Sequence, residues 1–122
     1  MRMAHVTIRT KNFDEEIRFY KEIAGLEIVT DMRERGVTIV FLAKSSGDTE
    51  IEVIEENNAV DGGNDNISIG FETADAEKFR AELEDKGLKV GPIISPAPVV
   101  KFFFVKDPAG VNVQFVSHRN EF

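Results

Sequence analysis

The sequence predicts an α+β fold: two tandem βαβββ modules whose curved mixed sheets enclose a cleft. Three observations lead there. The hydrophobic period runs strand, helix, strand, strand, strand, and then repeats that order. Matching residues recur at a nearly constant offset: His5 aligns with Asn66 at 61 residues, and Gly25 with Gly87 and Glu52 with Gln114 at 62. Between the copies lies the polar, Gly- and Asn-rich run "NNAVDGGND". The 122 residues therefore read as one domain, with modules at 1–56 and 66–118 and a linker at 57–65.

"HVTIRT" alternates as a strand. "NFDEEIRFYKEIAG" follows as a helix, with Asn12 as its cap, Glu15 three residues on, and Gly25 at its end. Phe13, Ile17, Tyr20 and Ala24 fall on one helical face. "LEIVTDM", "VTIVFLA" and "TEIEVIE" are three further strands, with the turn "KSSGD" before the last. In the second copy "NISIGFE" is a strand that sends Ile67, Ile69 and Phe71 to the core. "ADAEKFRAELEDKG" is a helix that buries Ala76, Phe79 and Leu83. "LKVGPII", "KFFFVKD" and "VNVQFVS" complete the module, the last entered through the tight turn "DPAG". Pro92, Pro96 and Pro98 make "GPIISPAPVV" a stiff, extended connector rather than a strand, either a simple crossover or a rim over the cleft.

One helix covers only one face of its sheet. Two such units can turn their open faces toward each other and enclose a cleft, where ligand sites concentrate. Alternation assigns His5, Thr7, Glu52, Asn66, Ser68, Gly70, Asn112 and Gln114 to that second face. In the Phe run, Phe103 points one way, and Phe102 and Phe104 the other. Alternation alone describes a solvated face equally well. The duplication favours the cleft, because His5, Glu52, Asn66 and Gln114 form two pairs of equivalent positions.

Composition narrows the function. Lys and Arg number 15 against 22 Asp and Glu, a net charge of −7, which opposes nucleic acid and anionic membranes. The absence of cysteine removes disulfides, thiolate ligands and cysteine nucleophiles. No apolar run suits a signal peptide or a membrane span, so a cytoplasmic setting is expected.

The paired βαβββ pattern, "IRFYKEIAGLEI", "IEVIE" and above all "FFFVKDPAGVNVQFV" resemble the vicinal oxygen chelate superfamily along nearly the whole chain. That group includes glyoxalase I, extradiol dioxygenases and the bleomycin resistance proteins. The resemblance implies a divalent ion (Zn, Ni, Co, Mn or Fe) held by His5 and Glu52, with Asn66 and Gln114 as weaker ligands. Thr7, Ser68, Phe102, Phe104 and Asn112 would line the pocket, and a homodimer is expected. Asn66 and Gln114 stand where metal-bearing relatives carry stronger donors. Gln114 cannot serve as a base, which leaves Glu52 as a lone general base.

Two functions follow from the resemblance. One is a glyoxalase-like, metal-dependent lyase or isomerase acting on a small carbonyl-containing substrate with an incomplete metal site. The other is a metal-free, small-molecule-binding or drug-sequestering protein of the resistance type. A ring-cleaving dioxygenase is disfavoured, because His5 and His118 are the only histidines and His118 belongs to the terminal run "SHRNEF".

Overall fold

The computed structural model describes residues 1–118, which form two compact units that divide between Gly62 and Gly63. The first contains β1 (His5–Thr10), α1 (Phe13–Glu22), β2 (Glu27–Asp31), a 3-10 turn (Arg33–Arg35), β3 (Ile39–Ala43) and β4 (Glu50–Glu55). The second contains β5 (Ser68–Glu72), α2 (Ala76–Asp85), β6 (Ile94–Ala97), β7 (Val100–Lys106) and β8 (Asn112–His118). Each unit is one helix against a four-stranded mixed sheet, with strand orders β1-β4-β3-β2 and β5-β8-β7-β6. The tandem βαβββ architecture is thus the one expected.

The cause in the first unit is period matching. Phe13, Ile17 and Tyr20 on α1 are buried together with the alternate inward residues of the sheet, Ile8 on β1, Val40 and Leu42 on β3, and Ile51 and Val53 on β4. Phe19 and Glu16 are buried as well, so the covered stripe is wider than the sequence indicated. Gly25 takes φ 72°, and the Leu26 N–H bonds Tyr20 O, closing the helix with a left-handed residue. In the second unit Ala76, Leu83, Phe103, Val113 and Phe115 are almost wholly buried. Phe79 packs edge-on against Phe115, with ring centroids 4.9 Å apart.

Several local expectations are corrected. Asn12 occupies the cap position of α1, and its carbonyl accepts from Glu16 N–H, but its side chain makes no capping bond. Asp75 is the residue that caps by side chain, accepting from Lys78 N–H on α2. "LKVGPII" is not a strand until Ile94; the strand β6 lies inside the proline-rich segment instead. Proline is tolerated there because β6 is an edge strand, joined to β7 only at Ile94–Phe102 and Ala97–Val100 across an irregular register.

Asn66 and Ile67 precede β5 rather than open it. The Asn64 side chain accepts from Asn66 N–H at 2.7 Å, and Ile67 N–H bonds Asn64 O, so these residues are spent in a turn. Ile67 is accordingly 64% exposed and not part of the core. His118 is the exposed last residue of β8 and pairs with Val100, while residues 119–122 of its run lie outside the described ones.

Candidate functional site

The parallel pairing of β1 with β4 sets Thr7 directly beside Glu52, with His5 one alternation earlier on the same face. Thr7 Oγ1 donates to Glu52 Oε1 at 2.5 Å, and His5 Nε2 lies 3.5 Å from that same oxygen. The Glu52 side chain is 14% exposed and that of His5 43%, so the carboxylate is sheltered while the imidazole is open to solvent. Phe41 is the register partner of Glu52 on β3, and its ring meets the His5 ring edge-on at 5.8 Å. The group is therefore a sheltered carboxylate engaged by a hydroxyl and an imidazole, with an aromatic ring against the imidazole. Sequence reasoning did not single out Phe41. Its alternation with the buried Val40 and Leu42 was the available signal.

The second unit repeats the geometry with different chemistry. Ser68 pairs with Asn112 and Gly70 with Gln114, just as His5 pairs with Glu50 and Thr7 with Glu52. With Gln114 at the place of Glu52, the strand position equivalent to His5 is thus Ser68, not Asn66. The turn at Asn64–Asn66 takes up the two-residue shift between the two alignments. Phe104 stands opposite Gln114, and Lys106 opposite Asn112. Lys106 Nζ donates to Asn112 Oδ1 at 3.1 Å, a bond that fixes which side of the amide is the oxygen. Phe102 and Phe104 meet edge-on at 5.7 Å on this face, while Phe103 is fully buried on the other.

Gly70 allows Gln114 to lie across β5, since a Cβ there would sit 3.3 Å from Gln114 Oε1. A recess of about 340 Å³ is lined by Asp65, Asn66, Ile67, Ser68, Phe104 and Asn112. A second, of about 350 Å³, shares Phe104 and Asn112 and is walled by residues 88–91. A third lies between the start of α2 and the β6–β7 turn, with Asp75, Glu77, Lys101 and His118 in its wall, and holds none of the expected site residues.

The predicted residues therefore gather as two sets. His5, Thr7 and Glu52 meet in the first unit; Asn66, Ser68, Phe104 and Asn112 share a recess in the second, with Gln114 over Gly70 and Phe102 beside Phe104. For a divalent ion, the 3.5 Å between His5 Nε2 and Glu52 Oε1 is close to the separation of two donors on one tetrahedral centre, about 3.4 Å for bonds of about 2.1 Å. No group of three or more His, Cys, Asp or Glu side chains converges among the described residues. The pair fits two positions of an exchangeable ion, not a closed structural site.

Comparison with known proteins agrees with this architecture. The chain is 25% identical to a lactoylglutathione lyase of Haemophilus influenzae over 130 aligned positions, covering 98% of this chain and 95% of that one. The glyoxalase I of Leishmania major superposes with a TM-score of 0.76 at 23% identity, over 96% of this chain and 86% of that one. An antibiotic binding protein from Streptomyces sp. CB03234 superposes with a TM-score of 0.74 at 15% identity, over 98% and 97% of the two chains. Residues 2–115 match the profile of the Glyoxalase/Bleomycin resistance protein/Dioxygenase superfamily, and with its two βαβββ modules the chain belongs to that superfamily, the vicinal oxygen chelate group.

Proposed function

We propose that the protein is a lyase- or isomerase-type enzyme that moves a proton on a small carbonyl-containing substrate, with Glu52 as its single acid–base group. The observation that carries this reading is the Thr7–Glu52–His5 contact set. Thr7 and His5 both engage Oε1, and Oε2 would then be the oxygen that accepts the proton. The low exposure of Glu52 limits competition from water at the carboxylate. His5 and Glu52 would hold an exchangeable divalent ion, whose chemistry when bound is to polarise the substrate carbonyl. The likeness to a lactoylglutathione lyase supports this class of reaction.

The test is a cobalt(II) titration of the intact protein, read by calorimetry and visible absorption, with His5→Ala and Glu52→Gln alongside. One saturable site, lost in both variants, is expected. Deuterium exchange at the carbon next to the carbonyl of α-ketoaldehydes and their thiol adducts then reads the chemistry and should vanish in Glu52→Gln. Absence of exchange with every compound in the wild-type protein would refute the enzymatic reading.

Gln114 favours a second reading, a metal-free protein that binds and sequesters a small molecule. An amide at that place is nonbasic and a weak ligand. Saturable ligand binding with neither cobalt uptake nor exchange would mark it. Under both readings we infer a homodimer in the cytoplasm. The two-fold dimer is the commonest arrangement among soluble homo-oligomers, and the lack of cysteine suits a reducing compartment. Among the described residues no helix is long and apolar enough to cross a membrane. Sedimentation equilibrium tests the dimer.

A further inference from the structure

We infer that the outer face of β7 and β8 is a subsite for an apolar, aromatic-sized group bearing a neutral carbonyl oxygen, with Phe104 as its shelf and the Asn112 amide N–H as its donor. Lys106 has only donors, so its 3.1 Å bond to Asn112 Oδ1 takes the oxygen side of that amide. The NH₂ side is left to a ligand acceptor. Phe104 and Asn112 are both half-buried and are the residues shared by the two recesses of about 340 and 350 Å³. Each recess has the size of a small ring system with one or two substituents. Phe102 backs Phe104 edge-on and extends the apolar surface.

Charge selects a neutral acceptor over a carboxylate. Lys89 and Lys106 border the second recess, while the Asp65 carboxylate is the charged group in the wall of the recess that Phe104 and Asn112 share with Ser68. An anionic ligand seated in that recess would meet Asp65 with no cation among the described residues of the wall beside it, whereas a ketone or amide oxygen needs only the N–H. Lys106 is thus a positioning residue for Asn112. This inference rests on the reading that the protein binds a small carbonyl compound, and it adds which group the second unit recognises and how.

The experiment is a ¹⁵N NMR titration of the full chain with benzamide, acetophenone, benzoate and benzylamine, following the Asn112 side-chain amide. Saturable shifts are expected with benzamide and acetophenone, with benzoate at least about tenfold weaker. Asn112→Asp, which exchanges the donor for an acceptor, should weaken benzamide about tenfold or more. Lys106→Met should weaken it severalfold by freeing the amide to turn. The inference is overturned if benzoate or benzylamine binds as tightly as benzamide, if no probe moves the Asn112 amide, or if Lys106→Met binds unchanged. Cobalt uptake at His5 and Glu52 is read separately, so loss of this subsite and loss of the proposed function are distinguishable.

Discussion

Thr7 Oγ1 donates to the same Glu52 oxygen that lies 3.5 Å from His5 Nε2, so one carboxylate oxygen joins the first and last strands of the first unit through side chains as well as backbone. Thr7→Val keeps the shape and the strand preference of the residue but removes the donor. The sheltered charge then loses a bond of the charge-assisted kind, and the expected cost is about 1–2 kcal/mol. Thr7→Ser should recover most of it. Urea unfolding midpoints of the three proteins measure this; a Val variant as stable as wild type would show that the bond contributes nothing.

The Arg33 guanidinium clamps Asp31 through two side-chain bonds, and the Arg33 backbone N–H adds a third. Side-chain bonding to Arg33 is the largest cause that lowers the Asp31 carboxyl from 3.8 to about 2. A depressed carboxyl contributes stability that is complete above its unfolded value and disappears as pH falls through its folded one. The window is therefore pH about 4 down to 2. The pair is solvent-accessible, so the effect should be modest and should shrink in high salt. Carboxyl ¹³C titration should place Asp31 near 2 in the wild type and higher in Arg33→Gln, where the backbone N–H bond remains but both guanidinium bonds are gone.

The duplicated fold and most strands were legible in the sequence because burial on one face leaves a period that a single chain displays, as in "KFFFVKD" and "VNVQFVS". Glu52 and Gln114 were legible for the same reason, being central in well-paired strands. Asn66 was misaligned because the Asn64 turn leaves Ser68, two residues on, at the register position equivalent to His5. A shift of two keeps the same face and so leaves no trace in a period-2 pattern. Strand β6 was missed because proline argues against a strand only where neighbours lie on both sides. Phe41 and the Lys106–Asn112 bond depend on register between strands distant in sequence, which no local pattern encodes.

The Phe run offers a direct check on which face is core. Phe103 is fully buried and packs against Phe79 and Phe115. Phe103→Ala should cost about 3–5 kcal/mol, through lost transfer energy and the cavity left behind. Phe104→Ala, on the opposite half-buried face, should cost less than about 1.5 kcal/mol while weakening ligand binding. Thermal unfolding of the two variants should separate them by several degrees. Equal losses would mean that Phe104 is as much a part of the core as Phe103.

Two glycines of the second unit should answer differently to alanine. A Cβ at Gly91 would lie 3.1 Å from the Phe104 carbonyl oxygen, and that oxygen accepts the Gly91 N–H at 2.9 Å. The obstacle is backbone, so relief requires residues 88–91 to move off β7, straining that bond and the one from Arg80 Nε to Gly91 O. Gly91→Ala is expected to cost about 1–3 kcal/mol. At Gly70 the nearest atom, 3.3 Å away, is the end of the Gln114 side chain, which can swing aside. Gly70→Ala should leave stability within about 0.5 kcal/mol of wild type and shift the Gln114 side-chain amide resonance instead. Should Gly70→Ala prove the more destabilising of the two, Gln114 is held far more rigidly over β5 than its single close approach implies.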